Sequence, residues 1–169
     1  MQPGEKRIIM FCPEVADEAA KKIGSILKDR WIGQGAYVDR FEAAVREKAD
    51  APFAVAVNSA SAAIRLALAV IGVGPGDEVI TTPQTCTATN HPILEQFAVP
   101  VFSDIQYLTG NMEPGDIERR ITGKTKAIIC VHIDGYPCDL DEIHAVAQRN
   151  GIAVIEDASD GLGAFYKGK

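Results

Sequence analysis

No apolar run in the 169-residue sequence approaches the roughly 20 residues that cross a bilayer. A membrane span is therefore not expected. The segment from Met1 to Arg7 has no apolar core behind it and does not read as a signal peptide. Basic residues are in deficit, 17 Lys and Arg against 23 Asp and Glu, for a net charge of −6. Nucleic-acid binding needs a basic face, so that partner is excluded, while a local cationic pocket is not. Cysteine is sparse and scattered: Cys12, Cys86, Cys130 and Cys138 form no CxxC pair. Free thiols in a reducing, cytoplasmic compartment fit that usage. Cys130, His132 and Cys138 lack a fourth ligand close by, so a zinc site is not expected. Internal repeats, low-complexity tracts and linkers are absent as well.

What is present is an alternation of periods. Hydrophobic residues at 47% and charged ones at 24% match an ordinary soluble domain with a sizeable core. Helical spacing predicts helices over Glu14–Leu27, Val38–Ala49, Ala60–Ile71, Thr87–Gln96, Pro114–Ile121 and Asp139–Asn150. Short Val- and Ile-rich runs predict strands at Phe53–Val57, Glu78–Thr82, Val99–Phe102, Ala127–Val131 and Ala153–Glu156. Strands separated by helices imply right-handed crossovers and a mainly parallel sheet, an α/β fold. Residues 1–52 read as an N-terminal arm with helices, and 53–169 as one structural unit.

Several strand ends carry groups suited to chemistry. Asn58 to Ala63 joins the first expected strand to an apolar helix, with Ser59 and Ser61 at its start. Free N–H groups and the positive dipole end there suit a phosphate, and either serine also serves as an ordinary N-cap. The glycines of Gly72 to Gly76 follow a helix and precede a strand, the reverse of a dinucleotide fingerprint, so they read as a helix C-cap and turn. Thr81 to Thr89 is rich in hydroxyls just beyond a strand; it reads as capping after Pro83 or as a loop covering a ligand. Asp104 and Asp134 also follow strands, as turn formers or as lining of the same edge. Glu156 and Asp157 are adjacent and point to opposite faces of extended backbone, so one meets a ligand and the other supports it. A carboxylate beside a protonated pyridine nitrogen keeps that ring cationic and improves it as an electron sink, which is the demand of pyridoxal 5′-phosphate (PLP).

The motifs Trp31–Gly35, Phe41–Glu42, Ala56–Ile64, Leu66–Leu68, Gly72–Ile80, Thr125–Ile128, Val131–Gly135 and Ile155–Ala158 occur in one order along nearly the whole chain. Together they resemble the N-terminal part of the DegT/StrS-type aminotransferases, fold-type I PLP enzymes that mostly aminate nucleotide-linked keto-sugars. The resemblance implies the N-terminal part of a large PLP-binding domain. It implies that Ala60 and Ser61 hold the PLP phosphate, Ala60 standing where the family has glycine. It implies that Asp157 pairs with the pyridine nitrogen. Cys86 stands where the family stacks an aromatic ring on the cofactor. Asp160 stands where it has Gln or His near the phenolic oxygen, and an acid there repels a phenolate.

The family's Schiff-base lysine lies on a segment beyond the Glu156–Asp157 strand that these residues do not include. Lys167 and Lys169 match surface lysines of the family, and Lys124 and Lys126 precede a strand. No catalytic residue is therefore assigned, and amino transfer is expected only with a complementing chain or in a homo-oligomer that completes the fold. Amino donor and keto-sugar are the implied substrates. A different class of role, a degenerate homologue acting as a binding or regulatory subunit, fits Ala60, Cys86 and Asp160. A magnesium-dependent phosphate enzyme using Asp104, Asp134 and Asp157 would explain the acids but not the ordered motifs.

Overall fold

Four short runs rich in Val and Ile pair side by side. The computed structural model describes residues 15–168, so Cys12 and the start of the first expected helix at Glu14 lie outside the described residues. The strands are β1 (Glu78–Thr81), β2 (Val99–Phe102), β3 (Thr125–Val131) and β4 (Ala153–Asp157). Their order is β2-β1-β3-β4, and every pairing is parallel. The α/β expectation therefore holds.

Period-two alternation divides the core. On β3, Ala127 and Ile129 join one apolar cluster, whereas Ile128 and Cys130 join the other. Helices α3 (Ala60–Ile71) and α4 (Thr87–Glu95) cover the first face through Ile64, Leu68 and Ile93. Helices α5 (Pro114–Arg120) and α6 (Leu140–Asn150) cover the second through Ile117, Ile143 and Val146. With helices on both faces, Ala127 to Val131 is buried without interruption, as parallel strands require.

Local signals start and stop these elements. Ser59 caps α3, its Oγ accepting the Ala62 N–H at 3.2 Å. Gly72 ends α3 in the left-handed conformation, φ 82°, so the glycine-rich segment is a C-cap and turn as its order predicts. The buried Asp116 on α5 accepts from the Asp104 N–H at 2.7 Å and from Arg119 and Arg120. Arg120 first, then the Asp104 amide, hold its carboxyl down at about 2.

The chain separates into two units at the Ala56–Val57 boundary. The first contains α1 (Asp17–Lys28) and α2 (Ala36–Lys48), neither with a buried residue. Within it, Glu42 Oε1 accepts the Ala56 N–H at 2.8 Å.

One expected strand is not formed. Phe53–Val57 carries no strand pairing, and Phe53 and Val55 are 83% and 77% exposed. An apolar β-branched run becomes a strand only beside a partner, and the four strands present pair with one another. The other bounds move by three residues or fewer. Helix α5, for example, ends at Arg120 because Ile121 is already extended, φ −66° and ψ 131°.

Candidate cofactor site

From β1 the chain leaves through α4 toward β2, and from β3 it leaves through α6 toward β4 on the opposite side. The carboxyl ends of β1 and β3 therefore splay apart, and such a switch point is where open α/β sheets hold ligands. A cavity of about 250 Å³ lies there. Its walls are Ala60 and Ile64 of α3, the turn carrying Thr85 and Cys86, and the β4 end with Asp157 and Asp160.

Four of the five expected cofactor residues thus meet at one cavity: Ala60, Cys86, Asp157 and Asp160. Ser61 is not among the lining residues; it sits one position further into α3. Ser59, not Ser61, takes the capping role. Capping engages the Ala62 amide, and the Ala63 amide donates to Ser59 O at 3.1 Å. The Ala60 and Ser61 amides have no partner among the described residues. Two free donors at the positive end of α3 therefore sit at the cavity's edge.

Asp157 is 8% exposed and held from two sides. Its Oδ2 accepts from Thr89 Oγ1 at 2.7 Å. Its Oδ1 accepts from Ser159 N at 3.1 Å and Ser159 Oγ at 2.5 Å. Glu156 turns to the other face, as alternation predicts, where Oε2 lies 3.3 Å from His132 Nε2 and Oε1 lies 3.4 Å from His144 Nε2. His132 chiefly holds the Glu156 carboxyl below its usual range. Cys138, and after it Glu156, push the buried His132 ring upward. The Cys138 N–H, 3.2 Å from Nδ1, needs a lone pair there and opposes the charge.

Three loops brace the wall. Asn111 is buried, and its Nδ2 donates to Tyr136 O at 2.9 Å and Pro137 O at 3.1 Å. Its Oδ1 accepts from Ile133 N at 3.1 Å, so one side chain pins the turn that follows β3. In that turn Gly135 adopts φ 79°, and a Cβ there would stand 2.9 Å from Asp160 O. Neither Asn111 nor Thr89 stands out as a ligand group in the sequence. Thr89 does fall in the hydroxyl-rich Thr81–Thr89 stretch.

The other expected acids are elsewhere. Asp104 follows the edge strand β2 and binds its own turn, Oδ1 accepting from Ile105 N at 2.8 Å. Asp134 is exposed in a left-handed turn, φ 51°, and neither lines the cavity. The three-aspartate magnesium arrangement is therefore not assembled. Among the described residues, no group of three or more His, Cys, Asp or Glu is placed to hold a metal ion. Among the described residues no lysine lines the cavity; Lys167 pairs with Asp141, which raises its pKa. Among the described residues no helix is long and apolar enough to cross a membrane.

Residues 13–169 match the model of the DegT/DnrJ/EryC1/StrS aminotransferase family. The chain belongs to that family. It is 42% identical over 155 residues to the spore coat polysaccharide biosynthesis protein SpsC of Bacillus subtilis, covering 92% of this chain and 40% of SpsC. It is 36% identical over 165 residues to GDP-perosamine synthase of Escherichia coli O157:H7, covering 97% of this chain and 45% of the synthase. Among solved structures it is similar to NtdA of Bacillus subtilis with bound cofactor PMP, with a TM-score of 0.84, 30% identity, and coverage of 93% of this chain and 38% of NtdA. The chain spans about 40% of the length of the curated relatives it matches. Its fold is accordingly the N-terminal part of the large domain of a fold-type I PLP-dependent aminotransferase of the DegT/DnrJ/EryC1/StrS family.

Proposed function

We propose that this chain supplies the ring-nitrogen and phosphate half of a cytoplasmic PLP-dependent aminotransferase acting on nucleotide-linked keto-sugars. The observation that carries the reading is Asp157, braced by Thr89 and Ser159 at one wall of the cavity whose other wall is the α3 N-terminus. The residues fit the cofactor. The free amides of Ala60 and Ser61 suit its phosphate, and the Asp157 carboxylate suits a protonated ring nitrogen. When bound, the cofactor supplies an electron sink for moving an amino group from donor to keto-sugar. The chain's own work is to seat the phosphate, hold the ring cationic through Asp157, and shape the face near Cys86 and Asp160.

The proton-shuttling amine is not contributed by the described residues, since no lysine reaches the cavity. In this reading a lysine from polypeptide outside the 169 residues, on a complementing segment or a partner in an oligomer, completes the site. The test is binding of pyridoxamine phosphate (PMP), which needs no lysine, compared with unphosphorylated pyridoxamine. Saturable binding of the phosphorylated form only, weakened by Asp157→Asn and by a bulky Ala60→Leu, is expected. No saturable binding, or binding indifferent to both changes, sinks the reading.

Cys86 and Asp160, both at the cavity, favour a second reading, a homologue retained for binding rather than catalysis. Amino transfer from PMP to a keto-sugar in the completed assembly separates the two. Binding without transfer supports the second.

A further inference from the structure

Asp157 is oriented by a chain of hydroxyls that runs through Thr89 of α4 to Thr85 in the turn before it. Thr89 is 2% exposed, and its Oγ1 lies 2.7 Å from Asp157 Oδ2 and 2.8 Å from Thr85 Oγ1. A hydroxyl owns one proton. The carboxylate offers only acceptors, so Thr89 spends its proton on Asp157 and must accept from Thr85. Thr85, four residues earlier in the turn before α4, is thereby the terminal donor. A donor chain of this kind polarises each successive bond, and its last bond ends on an anion. On the opposite oxygen, Ser159 donates through both N–H and Oγ. The carboxylate is thus clamped between α4 and the turn after β4, and apart from the half-turn that exchanges its two equivalent oxygens, no rotation about its Cβ–Cγ bond keeps all three contacts.

We propose that Thr89 is a positioning residue that aims Asp157 at the cofactor's ring nitrogen, with Thr85 fixing the direction of the Thr89 hydroxyl. This rests on the cofactor reading given above. Thr85 and Cys86 share one turn at the cavity wall. The segment that shapes the ring's face therefore also governs the carboxylate beneath its nitrogen.

The experiment uses the full chain with PMP labelled with ¹⁵N in the ring. It reads the dissociation constant and the ring-nitrogen chemical shift, which separates protonated from neutral pyridine. Thr89→Val removes the donor at nearly constant shape. It is expected to weaken PMP about tenfold, the worth of one hydrogen bond to a charged group, and to move the shift toward neutral pyridine. Thr89→Ser keeps the donor and is expected to stay within about twofold of wild type. Thr85→Val, less demanding on folding because Thr85 is only half-buried, is expected to give a smaller change in the same direction.

In an Asp157→Asn background, Thr89→Val is expected to add less than about twofold, because a residue acting through Asp157 loses its route. An equal loss in both backgrounds, or wild-type shift and affinity in Thr89→Val and Thr85→Val, overturns the proposal and leaves the cofactor reading standing. A wild-type shift and affinity in Asp157→Asn alone overturns the cofactor reading instead, and the positioning role with it.

Discussion

Replacing Gly135 by Ala tests the bracing of the cavity wall against an internal control. Gly135 has φ 79° and Gly151 has φ 64°, so both occupy the left-handed region. An alanine at either site meets the same backbone penalty, roughly 1–2 kcal/mol. The surroundings differ. A Cβ on Gly151 meets nothing within 4 Å, whereas one on Gly135 meets the Asp160 carbonyl oxygen at 2.9 Å. A carbon–oxygen contact normally rests at about 3.3–3.6 Å. The two backbones must therefore part by several tenths of an ångström, and forced displacement in a packed region costs about 1–3 kcal/mol. Gly135→Ala should thus lose about 2–5 kcal/mol and Gly151→Ala about 1–2. Urea unfolding of the two variants measures the difference, with unchanged m-values showing that only stability has moved. Asp160 follows Ser159, which donates twice to Asp157. Gly135→Ala should therefore also weaken PMP, while Gly151→Ala, at the far end of α6, should not. Equal stability losses at the two glycines, or unchanged PMP affinity in Gly135→Ala, would refute the close approach as a structural requirement.

Two further outcomes follow from the fold. Asp116 has its carboxyl lowered from 3.8 to about 2, chiefly by Arg120, so its contribution is complete above the unfolded value and is lost as pH falls through 3.8 toward 2. The shift corresponds to about 2 kcal/mol, trimmed by solvent screening of two exposed arginines; urea melts from pH 6 to 2.5 should show Asp116→Asn with a shallower acid loss than wild type, and parallel curves would exclude the linkage. Ser59→Ala removes the α3 cap and should cost about 1 kcal/mol in the same melts, whereas Ser61→Ala, which makes no cap, should cost less.

The sheet was legible because its strands carry local signals strong enough to survive on their own. Within β3, Ala127–Val131 is a continuous apolar run, and its successive residues Ala127 to Cys130 alternate between the two clusters. Phe53–Val57 is apolar throughout as well and forms no strand. Strand identity belongs to a pair, and a pairing partner is not written in the segment itself. Helix ends were legible where a cap is specific, as at Ser59 and Gly72, and drifted where the boundary is a gradual change of backbone, as at Ile121.

The site was legible to the extent that it is topological. Asp104, Asp134 and Asp157 look alike in sequence, each an acid beyond a strand. Their surroundings separate them. Asp104 leaves the edge strand β2 and binds its own turn through Ile105 N, away from the cavity. Asp134 leaves β3 at the crevice, but a left-handed turn carries it into solvent. Asp157 ends β4 and turns inward, because Glu156 before it has taken the outer face with His132 and His144. The parity of a strand can thus be read from sequence, while the donors that make an acid useful cannot. Thr89 reaches Asp157 across 68 residues of chain, and only the α4 crossover brings them together. A residue that touches no ligand can be equally decisive. Asn111 holds the Ile133–Pro137 turn, that turn presents Gly135 to Asp160, and Ser159 beside Asp160 grips Asp157. The orientation of one carboxylate is therefore the property of two convergent supports, the Thr89 hydroxyl of α4 backed by Thr85 on one oxygen and a loop stack from β3 on the other. Loosening either support frees the carboxylate to rotate even though Asp157 itself is unchanged.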